Sequence, residues 1–192
     1  MKLISIIVLS LFSMLLNRDV ENKVEVKILE GSHLYINGTS NVNEFTCDYL
    51  KPIQPKTFTL SYENIENGWL IEDAQLQLES GSFDCGGRRI NKDFDELVKS
   101  NKFPVIQIEV YEIMPKRANF QAKIVMTIAG VKKSLPVLIS LQEGKEINYN
   151  ATLNLNIEDF NLDAPTKAMG LIKVHEEISI HVNLRLGLSI ES

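Results

Sequence analysis

From Ile178 to Ile190 every second residue is aliphatic, and every residue between is polar or glycine. A strand places successive side chains on opposite faces, so this segment has one wet face and one apolar face. The same period of two recurs along most of the chain. Val24, Val26 and Ile28 alternate with Glu25 and Lys27, and Glu30-Gly31-Ser32 is read as a turn into a second strand carrying Leu34 and Ile36. Phe58, Leu60 and Tyr62 define the next strand. Asn67-Gly68 is a strong hairpin signal, because both residues tolerate positive φ. Trp69 to Leu78 returns, with Leu76 and Leu78 on one side. Ile106, Ile108 and Val110 alternate with Gln107 and Glu109, and Pro115 marks a turn. Phe120, Ala122, Ile124, Met126 and Ile128 then share a face. Ala129-Gly130 leads into Leu135 to Leu141, and Glu143-Gly144-Lys145 into a strand with Leu153, Leu155 and Ile157. Gly187 inside the last strand is read as a bend or bulge, since glycine packs nothing.

These are eight or nine strands joined mostly by hairpins, interrupted by one short helix. Asn91 or Asp93 is positioned to cap that helix, Asp93 and Glu96 fit a capping-box variant, and Phe94, Leu97 and Val98 form its apolar side. Pro104 ends it. An open meander leaves two unpaired edges, which closure removes. The expected fold is therefore all-β: an antiparallel up-and-down barrel. An eight-stranded barrel is filled by side chains or holds one small ligand. The inward set here is aliphatic and aromatic, so any guest is apolar, because a buried polar group without partners costs several kcal/mol.

The 192 residues suit one domain, and no linker divides them. The net charge of −5, with both signs interspersed, offers no basic face for nucleic acid. The amino terminus differs from the rest. Lys2 precedes an apolar run from Leu3 to Leu16, ended by Asn17, Arg18 and Asp19. That run is short for a membrane span of ~20 residues and reads as a secretory signal over residues 1–18, with the domain proper over 23–191. No stable membrane insertion is expected after its removal. The two cysteines, Cys47 and Cys85, suggest a disulfide in an exported chain; two buried thiols are the alternative. Closing that loop would stabilise the fold by about 4 kcal/mol in the chain-entropy account.

Five motifs carry a family resemblance, in order along the chain: Ser32 to Cys47, Asn91 to Ile106, Phe120 to Val137 centred on Ile128 to Pro136, Leu155 to Phe160, and Val174 to Ile180. Together they resemble a YceI-like domain, in a variant with cysteines, over about residues 24 to 188. The resemblance implies a lipocalin-like barrel in the periplasm or secreted space of a bacterium, binding an isoprenoid chain inside. The expected function is thus sequestration or carriage of a polyisoprenoid or quinone-type lipid. Burying about ten methylene equivalents contributes roughly 8 kcal/mol, less the costs of association. The residues proposed to line the ligand are Leu34, Ile36, Phe58, Leu60, Ile106, Ile108, Phe120, Ile124, Met126, Leu153, Leu155, Ile178, Ile180 and Val182, with Met169 at the mouth. The segment from Pro165 to Ile172 is expected to cap one barrel end, Met169 and Leu171 dipping inward. The competing interpretation is a non-catalytic structural or interaction domain of the envelope whose aliphatics fill a dry core.

Other chemistry is thin. Cys85-Gly86-Gly87-Arg88-Arg89 runs into the helix start, so Arg88 and Arg89 are candidates for an anionic head group, but Asp93, Asp95 and Glu96 would oppose an anion there. The three histidines, His33, His175 and His181, have no metal-ligand spacing, so no metal and no cofactor is expected. No catalytic constellation is present, and neither cysteine has an activating motif, so the chain is not read as an enzyme. Glu158-Asp159 and Glu176-Glu177 are read as solvated rims, and whether the chain forms a homodimer is left open.

Overall fold

In the computed structural model the described residues are 22–142, 147–167 and 171–190. The expected signal peptide over 1–18, the turn at Glu143 to Lys145 and the side chain of Met169 lie outside them. The elements in chain order are β1 (Asn22–Ile28), β2 (His33–Ser40), β3 (Glu44–Tyr49), β4 (Thr57–Ile65), β5 (Gly68–Glu79), β6 (Phe83–Asp84), α1 (Arg88–Leu97), β7 (Val105–Lys116), β8 (Asn119–Ile128), β9 (Val131–Gln142), β10 (Ile147–Asn156), a 3₁₀ turn (Ile157–Phe160), β11 (Thr166–Lys167) and β12 (Ile172–Ile190). Eight strands close a ring in the order β1-β4-β5-β7-β8-β9-β10-β12 and back to β1. The expected antiparallel barrel is therefore the observed one.

The alternation does the work anticipated for it. Ala122, Ile124, Met126 and Ile128 of β8 are buried, as are Leu153 and Leu155 of β10 and Ile180 of β12. All of them belong to one continuous core. The 3₁₀ turn places Phe160 in that core with no exposed surface.

The turn expected at Glu30 to Ser32 is not a hairpin. Ile28 pairs with Leu186 and His33 pairs with Asn183, both antiparallel to β12. Five chain steps thus oppose three on β12, so β1 and β2 are two halves of one bent strand. Arg185 holds the bend. Leu29 N donates to Arg185 O at 2.8 Å, Arg185 N donates to Ser32 Oγ at 2.9 Å, and Arg185 Nη1 donates to Glu30 O at 2.9 Å. Gly31, at φ +85°, is required: a Cβ there would lie 2.7 Å from Arg185 Nη1. Glycine and serine signal a break in the ladder, and local sequence does not separate a bulge from a reversal.

Three smaller expectations shift. The β4–β5 hairpin exists, but Gly68 already pairs with Ile65, leaving Glu66-Asn67 as the loop. Pro115 lies within β7 and pairs with Phe120, one step before the turn. Gly187 sits in unbroken register opposite Lys27; the irregularity of β12 is between Val174 and Ile178.

The bend forks the barrel wall. Below it, β1 pairs with β4; above it, β2 pairs with β3, which pairs with β6. Beyond Thr57 the flank of β5 meets only an isolated bridge between Gln54 and Gln77. The wedge between β2 and upper β5 is filled by β3, β6 and α1.

Gly68 has φ +151°, and a Cβ on it would fall 2.2 Å from Ile113 O. Gly68→Ala is expected to cost roughly 2 kcal/mol or more, read as a lowered urea midpoint. Gly81→Ala, whose nearest atom is 3.5 Å away, should move the midpoint little.

Candidate functional site

The fork creates an apolar interior slot. Its walls come from β2 (Leu34, Ile36), β12 (Ile178, Ile180), β7 and β8 (Ile106, Ile108, Met126), and from the wedge, through Phe45, Phe94 and Leu97. The slot has a volume of about 70 Å³. His175 is its one polar side chain outside the disulfide, and it is exposed, so the slot reaches the surface there.

The wedge is tied down at three levels. Cys47 of β3 and Cys85, just before α1, form a disulfide with S–S 1.97 Å, and both are buried. Rings pack in tilted contacts beside it: Tyr49 on Phe83 at 5.1 Å between centroids, and Phe83 on Phe94 at 4.9 Å. The Tyr49 hydroxyl accepts from Glu79 N at 3.1 Å, so the ring column is pinned to β5. Ser80, fully buried, donates to Phe103 O at 2.7 Å and secures the segment after the helix.

The third tie is at the start of α1, where the expected cap is replaced. The N-cap is Gly87, with no side-chain cap bond. Asn91 instead reaches back: its Oδ1 accepts from Cys85 N at 2.7 Å and its Nδ2 donates to Asp84 Oδ1 at 3.0 Å. Gly86 N also donates to Asp84 Oδ1, at 3.0 Å. The helix N-cap therefore lies four residues before Asn91, the nearer of the two expected caps, because Asn91 serves the preceding loop. Asn91, and after it Gly86 N, hold the Asp84 carboxyl below the usual carboxylate range, against a smaller opposing effect of desolvation.

The structure divides the proposed lining residues. Leu34, Ile36, Ile106, Ile108, Met126, Ile178 and Ile180 line the slot. Ile124, Leu153 and Leu155 are buried in the core without lining it, and Val182 packs against them half-buried. Phe58, Leu60 and Phe120 lie half-buried toward the other barrel end, Phe58 and Leu60 opposite Val26 and Val24, and Phe120 with its ring 6.1 Å from Trp69. Arg88 and Arg89 are exposed in the first turn of α1 and do not line the slot. Leu171 is 75% exposed and points out of the mouth, not into it. Its carbonyl accepts from Asn41 Nδ2 at 2.9 Å, which fixes the backbone there. Glu158 and Asp159 sit in the 3₁₀ turn, where Glu158 N donates to Asn156 Oδ1 at 2.8 Å.

Sequence reasoning did not assign to the slot the wedge residues Phe45, Cys47, Phe83, Phe94, Leu97 and Val98, nor Leu78, Ile128, Ile157, Leu162, Val174 and His175, which also line it. Gly38 was the available signal for one of them. A Cβ there would stand 2.4 Å from Phe45 Cζ, so the glycine exists to let that ring cross β2.

Among the described residues no group of three or more histidine, cysteine or acidic side chains converges to hold a metal. No helix of the described residues is long and apolar enough to cross a membrane.

Asp84 has a depressed pKa when folded, so its stabilising effect is present above the unfolded pKa and is lost as pH falls through the folded one. The difference in melting temperature between the wild type and Asp84→Asn should be present at about pH 6 and close below about pH 3.9. A difference that persists at low pH would contradict this role.

Comparison of the sequence with curated proteins gives no match. Among solved structures, BcnA from Burkholderia cenocepacia is similar at 16% identity and TM-score 0.63, covering 81% of this chain and 96% of that one. A polyisoprenoid-binding domain from Saccharophagus degradans, described as implicated in plant cell wall breakdown, is similar at 12% identity and TM-score 0.55, covering 86% of this chain and 98% of that one. These likenesses concern the fold. Residues 22–186 match the family described as YceI-like domain, a span that takes in the wedge and all of the ring but the last four residues of β12, and the chain belongs to that family.

Proposed function

We propose that this protein is an exported, non-catalytic binding protein for an apolar lipid chain of polyisoprenoid or isoprenoid-quinone type, held in the slot at the fork. The observation that carries the reading is the slot itself: a partly open cleft inside a closed barrel, walled by aliphatic and aromatic side chains, with one polar group at its mouth. Only an apolar guest can occupy such a place without leaving polar groups unsatisfied. Membership of the family and the neighbour described as polyisoprenoid-binding support the same reading.

The volume of about 70 Å³ is far below the ~300 Å³ at which ligand pockets begin, so a lipid enters only if the wall yields. The part of the wall best able to yield is the wedge, where Phe45, Phe94 and Leu97 are half-buried, while Ile106, Ile108 and Met126 opposite are buried. Export rests on the apolar run over 1–18, read as a signal peptide preceding a domain over 23–191, and on the disulfide, which suits an oxidising compartment such as the periplasm.

The small volume also favours a second reading, in which the core is filled and the domain acts through its surface. One experiment separates them. Native mass spectrometry of freshly purified protein should show lipid attached, and Ile178→Trp, placed in the half-buried wall of the slot, should lower occupancy at least about tenfold while the fold is kept. Wild-type protein that arrives free of lipid, and takes up none from isoprenoid micelles, would favour the filled core.

A further inference from the structure

The mouth of the slot is built in a particular way. Val174 pairs with Ser40 and Ile178 with Gly38, so four chain steps of β12 oppose two of β2. The ladder is interrupted over residues 175–177, where the slot reaches the surface. His175 lines the slot, and its Nδ1 lies 2.8 Å from Thr39 Oγ1.

Two loop tips stand beyond this gap. One is the β2–β3 connection with Val42 at its apex; the other leads into β12 and carries Leu171. Asn41 binds them together. Asn41 Nδ2 donates to Leu171 O at 2.9 Å, Lys173 N donates to Asn41 Oδ1 at 2.9 Å, and Asn41 N donates to Lys173 O at 3.1 Å. The β2–β3 tip is itself set, with Ser40 Oγ accepting from Asn43 N at 3.1 Å. Two separate tips are thus fixed side by side, and each presents a large apolar side chain to solvent: Val42 63% exposed, Leu171 75%.

A single exposed leucine needs no explanation. Two on adjoining, hydrogen-bonded tips at the opening of an apolar slot form an apolar rim in fixed geometry. The charges around that rim are acidic in balance, with Glu44, Glu176 and Glu177 exposed against Lys173. We propose that Val42 and Leu171 seat the mouth on the surface of an electrically neutral bilayer, so that the guest passes between membrane and slot. The proposal rests on the lipid-binding reading and adds the source of the lipid. The rim is too small to bury the ~800 Å² per partner of a stable protein interface, and insertion of two side chains suits brief contact. The acidic balance selects zwitterionic over anionic lipid.

The test is cosedimentation of the purified protein with phosphatidylcholine vesicles. All variants keep the same amino terminus, so differences report the rim alone. The wild type should bind, and Val42→Asn with Leu171→Asn should lower partition about tenfold. Leu50→Asn, at a leucine 68% exposed that follows β3 well away from the mouth, should leave partition unchanged. Replacing part of the phosphatidylcholine by phosphatidylglycerol should weaken binding. Equal binding by the rim double variant, an equal loss with Leu50→Asn, or stronger binding to anionic vesicles would overturn the proposal. So would a concentration-dependent dimer abolished by the rim variant without vesicle binding, since the rim would then serve a second copy. Lipid content keeps the two proposals apart. A rim variant that retains lipid yet leaves vesicles supports the rim, while lipid-free protein in every variant sinks the slot and leaves the vesicle result to stand alone.

Discussion

Everything above the midline of this barrel follows from one pairing constraint. β12 runs for 19 residues and requires a partner along one whole flank. β1 and β2 supply it as one bent strand, but that strand has two different neighbours on its far side, β4 and then β3. A wall cannot pair with two strands and stay evenly closed. It splits, and the split must be covered because unpaired backbone and apolar side chains cannot both be left bare. The Arg185 clasp at Glu30, Leu29 and Ser32 sets where the split begins.

The wedge that covers the split differs in kind from the wall. The strands share long ladders, so each is held by many bonds that fail only together. The wedge has β3 on a five-pair ladder with β2, a two-residue strand, a ten-residue helix with no buried residue, one disulfide and a few side-chain bonds. In a short helix most stability comes from tertiary packing, here from Phe94 on Phe83. This element can move without unzipping the barrel, and the disulfide limits how far it goes. Loosely packed cover over tightly packed wall is the arrangement expected where a site must open while its scaffold keeps its shape.

The division between legible and illegible parts of the sequence follows the same line. Period-two alternation revealed the ring and the inward faces of β8, β10 and β12, since inward Ala122, Ile124 and Leu153 are a direct record of burial on one face. Seven of the proposed lining residues do meet at the slot, because they face the wedge from β2, β7, β8 and β12. The rest, such as Leu155 and Phe58, were indistinguishable from them: alternation tells inside from outside but not height along the barrel. The fork itself was hidden because Gly31-Ser32 signals a break without saying whether the chain reverses. Asn91 misled for a related reason, since an asparagine near a helix start caps the helix or serves the loop before it, and the choice depends on Asp84 and Cys85 being brought close.

The disulfide and the mouth lie on different sides of the same slot, and on the proposed function that placement bears on how a guest would enter. Cys47 and Cys85 pin the β3–β6 side, while the interruption of the β12–β2 ladder leaves the His175 side without strand pairing. An apolar chain entering past His175 would press on Phe45, whose ring lies across Gly38 with no side chain beneath it. Yielding there would require rotation of one ring rather than loss of ladder bonds, and would open the slot toward the half-buried Phe94 and Leu97. On the proposed lipid-binding function, a guest's path would begin at Val42 and Leu171, and the present volume would be that of the path when closed.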